Sequence, residues 1–215
     1  MSETAISDLA TFEFSFSGDH LCLNFTNTLD NRMTEKPTER LKTYPDLLSW
    51  CMQAQLITPE QATRLQEIAQ RSPLEAERVL ARAIELRELM RRIFLASAEE
   101  RLPADEDLKL LSAKFVETMA KGQLAFTGQQ YAWQWPISEG ALDGLFGFIV
   151  PAAIELLTSR ELSLVRICAA EDCGWLFLDV SKNHSRRWCD MKSCGNRAKV
   201  RKFYQTRATK VPPSA

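Results

Sequence analysis

Two close cysteine pairs near one end of the chain constrain its fold more than any other feature. They read Cys168-x4-Cys173, fifteen intervening residues, then Cys189-x4-Cys194. Each pair bends the chain so that two thiolates converge, and a hairpin-sized insert can bring the pairs together at Zn–S distances of about 2.3 Å. The x4 spacing is wider than the commonest C-x2-C but lies within the range that zinc sites use. The competing reading is four buried, reduced core thiols, but a polar, basic, Gly-flanked segment is not core patterning. Cys168, Cys173, Cys189 and Cys194 are therefore the expected ligands of one Zn2+. Four thiolates leave no open coordination position, so the metal is expected to be structural. Residues 161–210 hold few apolar side chains, and metal binding is worth roughly 10–16 kcal/mol in isolated finger peptides; folding here should depend on the ion. His184, between the pairs, is the alternative ligand. Cys22 and Cys51 lie in apolar helical settings and read as core thiols.

Charge is segregated along the chain. Between Lys182 and Lys210 ten basic residues meet one acid, Asp190, a local charge of +9 within a chain whose net charge is −1, which leaves −10 for the rest. Such asymmetry suggests an acidic body, residues 1–160, and a basic module, residues 161–215. Within the module, Ser193 to Arg207 reads as a helix that begins at the metal with Ser193 as its cap. Val200, Phe203 and Tyr204 form a stripe expected to dock against Trp175, Phe177 and Trp188 of the hairpin. Arg197, Lys199, Arg201, Lys202 and Arg207 then face outward, and Arg186 and Arg187 extend the patch. A helix following a zinc hairpin is treble-clef-like. The basic surface suits DNA or another nucleic acid; the alternatives are a solvated face or docking on the acidic body.

The body reads as mainly helical with a small β component. Thr11 to Phe16 alternates as a short strand, and His20 to Arg32 carries Leu21, Phe25 and Leu29 at helical spacing. Asn31 to Lys42 reads as loop. Pro45 suits the first turn of a helix running to about Ala54. Thr58-Pro-Glu-Gln61 and Ser72-Pro-Leu-Glu75 are capping boxes. The second opens a long helix whose stripe is Val79, Ala83, Leu86, Met90 and Ile93. A further helix after Pro103 turns Leu108, Leu111, Phe115 and Met119 inward. Gln123 to Trp135 alternates about Gly128 as a β-hairpin, and Ser138 to Leu157 is an apolar helix bent at Pro151. Short strands are expected over Leu162 to Ile167 and Trp175 to Val180. Met1 to Phe12 lacks the basic start and apolar run of a signal peptide, and no apolar run reaches bilayer length. A cytoplasmic protein with reduced thiols and no membrane association is expected.

Cys194-Gly195-Asn196-Arg197, within Cys-x4-Cys-Gly-Asn-Arg-x-Lys-x-Arg-x-Phe/Tyr, resembles the signature of the bacterial CGNR zinc-finger family. In that family the finger follows an ABATE domain, associated with stress-induced regulation of transcription. The ABATE domain opens with a Leu-Asp-Phe-Val-Asn-Thr-like segment; here Leu23-Asn24-Phe25-Thr26-Asn27-Thr28 is followed by Arg32, with Asn24 where the family usually carries Asp. The resemblance covers the chain and implies a helical ABATE domain, a CGNR finger and a regulatory role.

Function follows two lines. One is a nucleic-acid-binding regulator acting through the basic helix. The other is a small-molecule or protein-binding sensor in which the finger is only a brace. His20, Asn24, Asn27, Thr28 and Arg32 gather polar groups that could hold an effector, beside a cavity walled by Trp133 and Trp135; otherwise they satisfy local backbone groups. The two combine as a one-component regulator, and a homodimer is the geometric expectation for a DNA binder. Two distant histidines, with no phosphate loop and no hydrolase motif, give no basis for an enzyme.

Overall fold

The computed structural model describes residues 12–137 and 141–208, with side chains as far as Gln205. Thr11, Ser138 and the side chain of Arg207 lie outside the described residues.

A short helix, α1 (Leu21–Thr26), sits at the centre with five of its six residues buried. It packs against α4 (Pro73–Ala98), α6 (Phe146–Thr158) and β6 (Leu176–Leu178). α1 is shorter than the helix predicted to Arg32. Thr26 and Thr28 turn their hydroxyls onto the Leu23 and Phe25 carbonyls, and Asn27 is claimed by another partner described below. Residues Leu29–Asp30 (β1), in the segment predicted as helix, pair antiparallel with Thr38–Glu39 (β2), in the segment predicted as loop. The predicted strand at Phe12–Phe16 is irregular. Its backbone is held by one side chain, Gln53, whose Oε1 accepts from Phe14 N–H and whose Nε2 donates to Phe12 O.

Helix α2 (Tyr44–Gln53) opens with a capping box, Thr43 with Asp46, that the sequence reading did not identify. The Thr58–Gln61 box opens α3 (Pro59–Arg71) as expected. The predicted Ser72–Glu75 box does not form. Ser72 serves as the last cap of α3 and the first of α4, and its side chain makes no cap hydrogen bond. The α4 stripe of Val79, Ala83, Leu86, Met90 and Ile93 is buried throughout. α5 (Asp105–Lys121) is peripheral: only Leu111 is buried, while Leu108 is exposed. β3 (Gln123–Phe126) and β4 (Tyr131–Gln134) form the predicted hairpin, with Gly128 supplying a positive φ of 91° in the turn. A 3-10 turn, Leu142–Leu145, leads into α6, which contains Pro151.

The finger hairpin is β5 (Val165–Ile167) with β6. Val165, Leu176 and Leu178 belong to the main core, whereas Phe177, Ala170 and the four cysteines form a second cluster flanked by Trp175 and Trp188. A single π turn, Met191–Gly195, then leads into α7 (Asn196–Ala208). The observed cap at this start is Asp190, whose carboxylate accepts from the Lys192 and Ser193 amides, and not Ser193. The turn begins at Met191, ahead of Ser193, so residue 190 holds the cap position, and its two carboxylate oxygens take one amide each. Among the described residues no helix is long and apolar enough to cross a membrane.

Candidate metal centre and interdomain seam

The four predicted ligands converge. The sulfurs of Cys168, Cys173, Cys189 and Cys194 all lie within 4.8 Å of one another and all four residues are buried. A tetrahedron with Zn–S bonds of about 2.3 Å has S···S edges of about 3.8 Å. The Cys173–Cys189 and Cys189–Cys194 sulfurs are 3.7 and 3.6 Å apart. The donor set therefore fits one structural Zn2+. Hydrogen bonds from Cys173 and Cys189 pull the Cys168 thiol far below its ordinary range. The same bond to Cys168 holds the protons on Cys173 and Cys189, whose thiols are pushed up. Binding a dication exchanges these shared protons for metal. His184, the alternative ligand, points its Nδ1 at the Asp179 carbonyl, 3.0 Å away, and stands outside the cluster.

Each knuckle is built from short-range bonds. In the first, Cys168 N–H donates to Trp175 O and Cys173 N–H to Ala170 O. Gly174 follows at φ +68°, and a Cβ there would meet Met33 Sδ and Arg32 Cβ at 3.1 and 3.3 Å. Both the conformation and the close approach of the body demand glycine. In the second knuckle the signature residues acquire distinct jobs. Cys194 is a ligand, Asn196 Nδ2 donates to Lys192 O to fasten the π turn, and Arg197 Nη2 donates to Cys194 Sγ at 3.2 Å. Arg197 also pairs with Asp172, and its guanidinium is held charged despite partial burial by Cys194 and Asp172. The loop between knuckles is organised by buried Asp179, which accepts from the Ser181 amide and hydroxyl and from the Arg186 amide. Asn196 stands in the sequence signature without a role, and the bracing roles of Asp190 and Asp179 carry no sequence signal, because the bonds they make follow no period.

The basic residues are not equivalent. Arg186 is turned inward over the Phe177 ring, 4.5 Å away. It donates to Ser17 O, Trp188 O and Cys189 O and pairs with Asp19, so it clamps finger to body rather than extending an outer patch. Arg187 is exposed beside Trp188. Arg197 and Arg201, one turn apart, face Asp172 and Glu171 of the first knuckle, with Arg201 Nη1 2.7 Å from Glu171. Lys199 and Lys202 are exposed. The stripe predicted to dock does not: Val200, Phe203 and Tyr204 are 55%, 56% and 65% exposed. The hairpin face meant for it is occupied, since Trp175 donates to Leu29 O and Phe177 is covered by Arg186.

Asn27 holds the seam between finger and body. Its Nδ2 donates to Leu176 O at 2.8 Å and its Oδ1 accepts from Leu176 N–H at 3.0 Å, so one amide side chain pairs with β6 as a neighbouring strand would. Arg32 N–H donates to Cys173 O, and Leu178 N–H to Gly18 O. Asn24 Oδ1 accepts from Gly18 N–H at 2.8 Å. Thr28 donates to Phe25 O and accepts from buried Arg87, which grips Glu39 with both Nη atoms. Arg32 grips Glu88 in the same way. Burial works to raise the Glu88 carboxyl, but Arg32 and Arg87 hold it below its ordinary value.

Of the five residues predicted to hold an effector, Asn24, Asn27 and Thr28 line one cavity of 380 Å³. It lies in the seam, with Asp30 and Arg40 on the body side and Trp175, Asp190 and Arg197 on the finger side. His20 and Arg32 are placed elsewhere. His20 Nδ1 lies 3.2 Å from Cys22 Sγ, and Arg32 is spent on Glu88 and Thr26 O. The Trp135 cavity, shared with Arg82, Lys121 and Asp143, holds only 40 Å³. Cys22 and Cys51 are fully buried, with thiols pushed up by burial, as core thiols are.

Two family models match this arrangement. ABATE, described as "Putative stress-induced transcription regulator", covers residues 19–160, and the CGNR zinc finger covers residues 165–207. No curated protein matches the sequence. The central helix with its Asn27 seam falls in the first match and all four ligands fall in the second, and the chain belongs to the ABATE family, carrying a CGNR zinc finger.

Proposed function

We propose that the chain is a one-component regulator that binds nucleic acid through α7 and its flanks, with an effector site in the seam cavity. The observation that carries this reading is the exposure of α7. The ion pairs that Arg197 and Arg201 make reach Asp172 and Glu171 inside the finger and not the acidic body. Lys199 and Lys202, three residues apart on α7, are exposed and present cationic side chains at its surface, and Arg187 is exposed in the loop between the knuckles. Lysines so placed release counterions from phosphates. Exposed Val200, Phe203 and Tyr204 supply apolar and aromatic contacts on the same element. A ligand in the seam cavity would touch α1 and the second knuckle together, which is how effector occupancy would bias the finger. The reading assigns no catalysis, and four thiols reserved for zinc suit the reducing cytoplasm.

Fluorescence anisotropy of the full zinc-loaded chain with duplex DNA tests it. Binding at low salt should weaken steeply as salt rises. Lys199→Glu with Lys202→Glu should cut affinity at least roughly tenfold and flatten the salt slope by about 2. No binding at about 50 mM salt would remove the nucleic-acid reading. A metabolite screen by thermal shift tests the effector site separately: a hit should lose its effect in Asn24→Leu.

A further inference from the structure

The β3–β4 hairpin presents an apolar face to solvent. Leu124 pairs with Trp133 and Phe126 with Tyr131, so alternation places all four on one side of the ribbon. They are 62%, 49%, 60% and 71% exposed in that order, and the Phe126 and Tyr131 rings lie 5.3 Å apart. The face is held firmly, because Trp135 at the end of the ribbon stacks on Trp133 and fits against Gly122 and Gly147.

From this geometry we infer that the hairpin face is the contact between two copies of this chain. Charge selects the occupant. Gly122 through Ile137 contains no acidic or basic residue, in a chain that is 26% charged. Nucleic acid and an anionic membrane surface call for cations, and a charged peptide calls for complementary charge, none of which the ribbon offers. A second copy brings an identical neutral, aromatic face, which is self-complementary about a two-fold axis. Area agrees. Taking roughly 200 Å² for each aromatic side chain, the four exposed side chains offer roughly 450 Å² per copy. The pair would bury about 900 Å² before backbone and the flanking glutamines are counted, close to the ~1,000 Å² that a specific interface clears.

Sedimentation velocity of the full zinc-loaded chain over roughly 1–100 µM tests this. The expected result is a species of twice the 24.5 kDa chain mass at the upper concentrations. Phe126→Glu, and the milder Tyr131→Ser, should shift the boundary to the monomer with unchanged circular dichroism and zinc content. Mixing Phe126→Glu with Phe126→Lys should restore the larger species. A wild-type chain that stays monomeric throughout overturns the inference and leaves the face to a different partner. A dimer that survives Phe126→Glu combined with Tyr131→Glu overturns the assignment of this surface.

Discussion

Asn27→Ala is the sharpest perturbation of the seam. The side chain is 4% exposed and its two hydrogen bonds end on the backbone of Leu176, which is fully buried. Alanine would leave one N–H and one C=O of β6 without partners, and each buried orphan costs about 1–3 kcal/mol. Asn27 also borders the seam cavity, so water can reach part of the vacated space. The expected loss is therefore about 2–4 kcal/mol, a large share of the ~5–15 kcal/mol typical of native proteins. Urea unfolding of the zinc-loaded chain should show a lower midpoint with little change in slope, and tryptophan fluorescence and far-UV circular dichroism should move together. Asn27→Asp keeps the acceptor for Leu176 N–H but sets an anion against Leu176 O. Its carboxyl should be raised in the folded state, so this variant should regain stability as pH falls and the proton returns as a donor. A loss below about 0.5 kcal/mol in Asn27→Ala would mean that the seam is held by other contacts.

Metal and pH give further tests. Cys173→Ser should reduce zinc from one ion per chain to near none. Because β5 and β6 share the main core, the whole chain should lose at least about 3 kcal/mol and roughly 10 °C in Tm; an unchanged zinc content would overturn the ligand set. Burial works to raise the Asp179 carboxyl, but hydrogen bonds from the Ser181 hydroxyl and amide and the Arg186 amide, with the charge of His184, hold it below its ordinary value. A depressed carboxyl stabilises the fold above its unfolded-state pKa near 3.9, and that contribution fades as pH falls through the lower folded value. Asp179→Asn should thus be less stable at pH 7 and show a shallower acid limb; superimposable acid limbs would contradict the assignment. Gly147→Ala would place a Cβ 2.0 Å from Trp135 Cδ2 in the close-packed floor of the hairpin. A cost of about 1–3 kcal/mol and a red-shifted tryptophan emission are expected; a silent substitution would show that Trp135 moves freely.

The ligands of the metal were legible in the sequence because their signal is local: two pairs, each spanning a few residues, in a segment with no other use for thiols. The long α4 stripe was legible for the same kind of reason, a period sustained from Val79 to Ile93, about four turns. α1 was overextended because its termination is decided at a distance. Asn27 and Thr28 fit a helix by spacing, but β6 takes the Asn27 amide, and the Thr28 hydroxyl bonds Phe25 O and Arg87. Arg186 looked like any other cation in a basic run, and nothing local marks it as the one that meets Asp19 and the Ser17 carbonyl. The docking of Val200, Phe203 and Tyr204 was expected from their periodicity. Periodicity gives a face but not its partner, and Leu29 and Arg186 had already covered the hairpin. Of the polar group His20, Asn24, Asn27, Thr28 and Arg32, only Asn24, Asn27 and Thr28 line one cavity, and their bonds serve the backbone first.

The pairing of Asn27 with Leu176 joins residues 149 positions apart. In a chain made from its N-terminus, the six-residue α1 segment is too short to hold as a helix alone and lacks one of its packing partners until β6 appears. The two later knuckle cysteines and the ion must follow before β6 is fixed in place. Closing so distant a contact is slow by its topology, and here the closure also draws on a scarce solute. Zinc then bears on more than the finger: by fixing the strand that carries Leu176, the ion completes the hydrogen bonds that Asn27 makes at the end of the central helix.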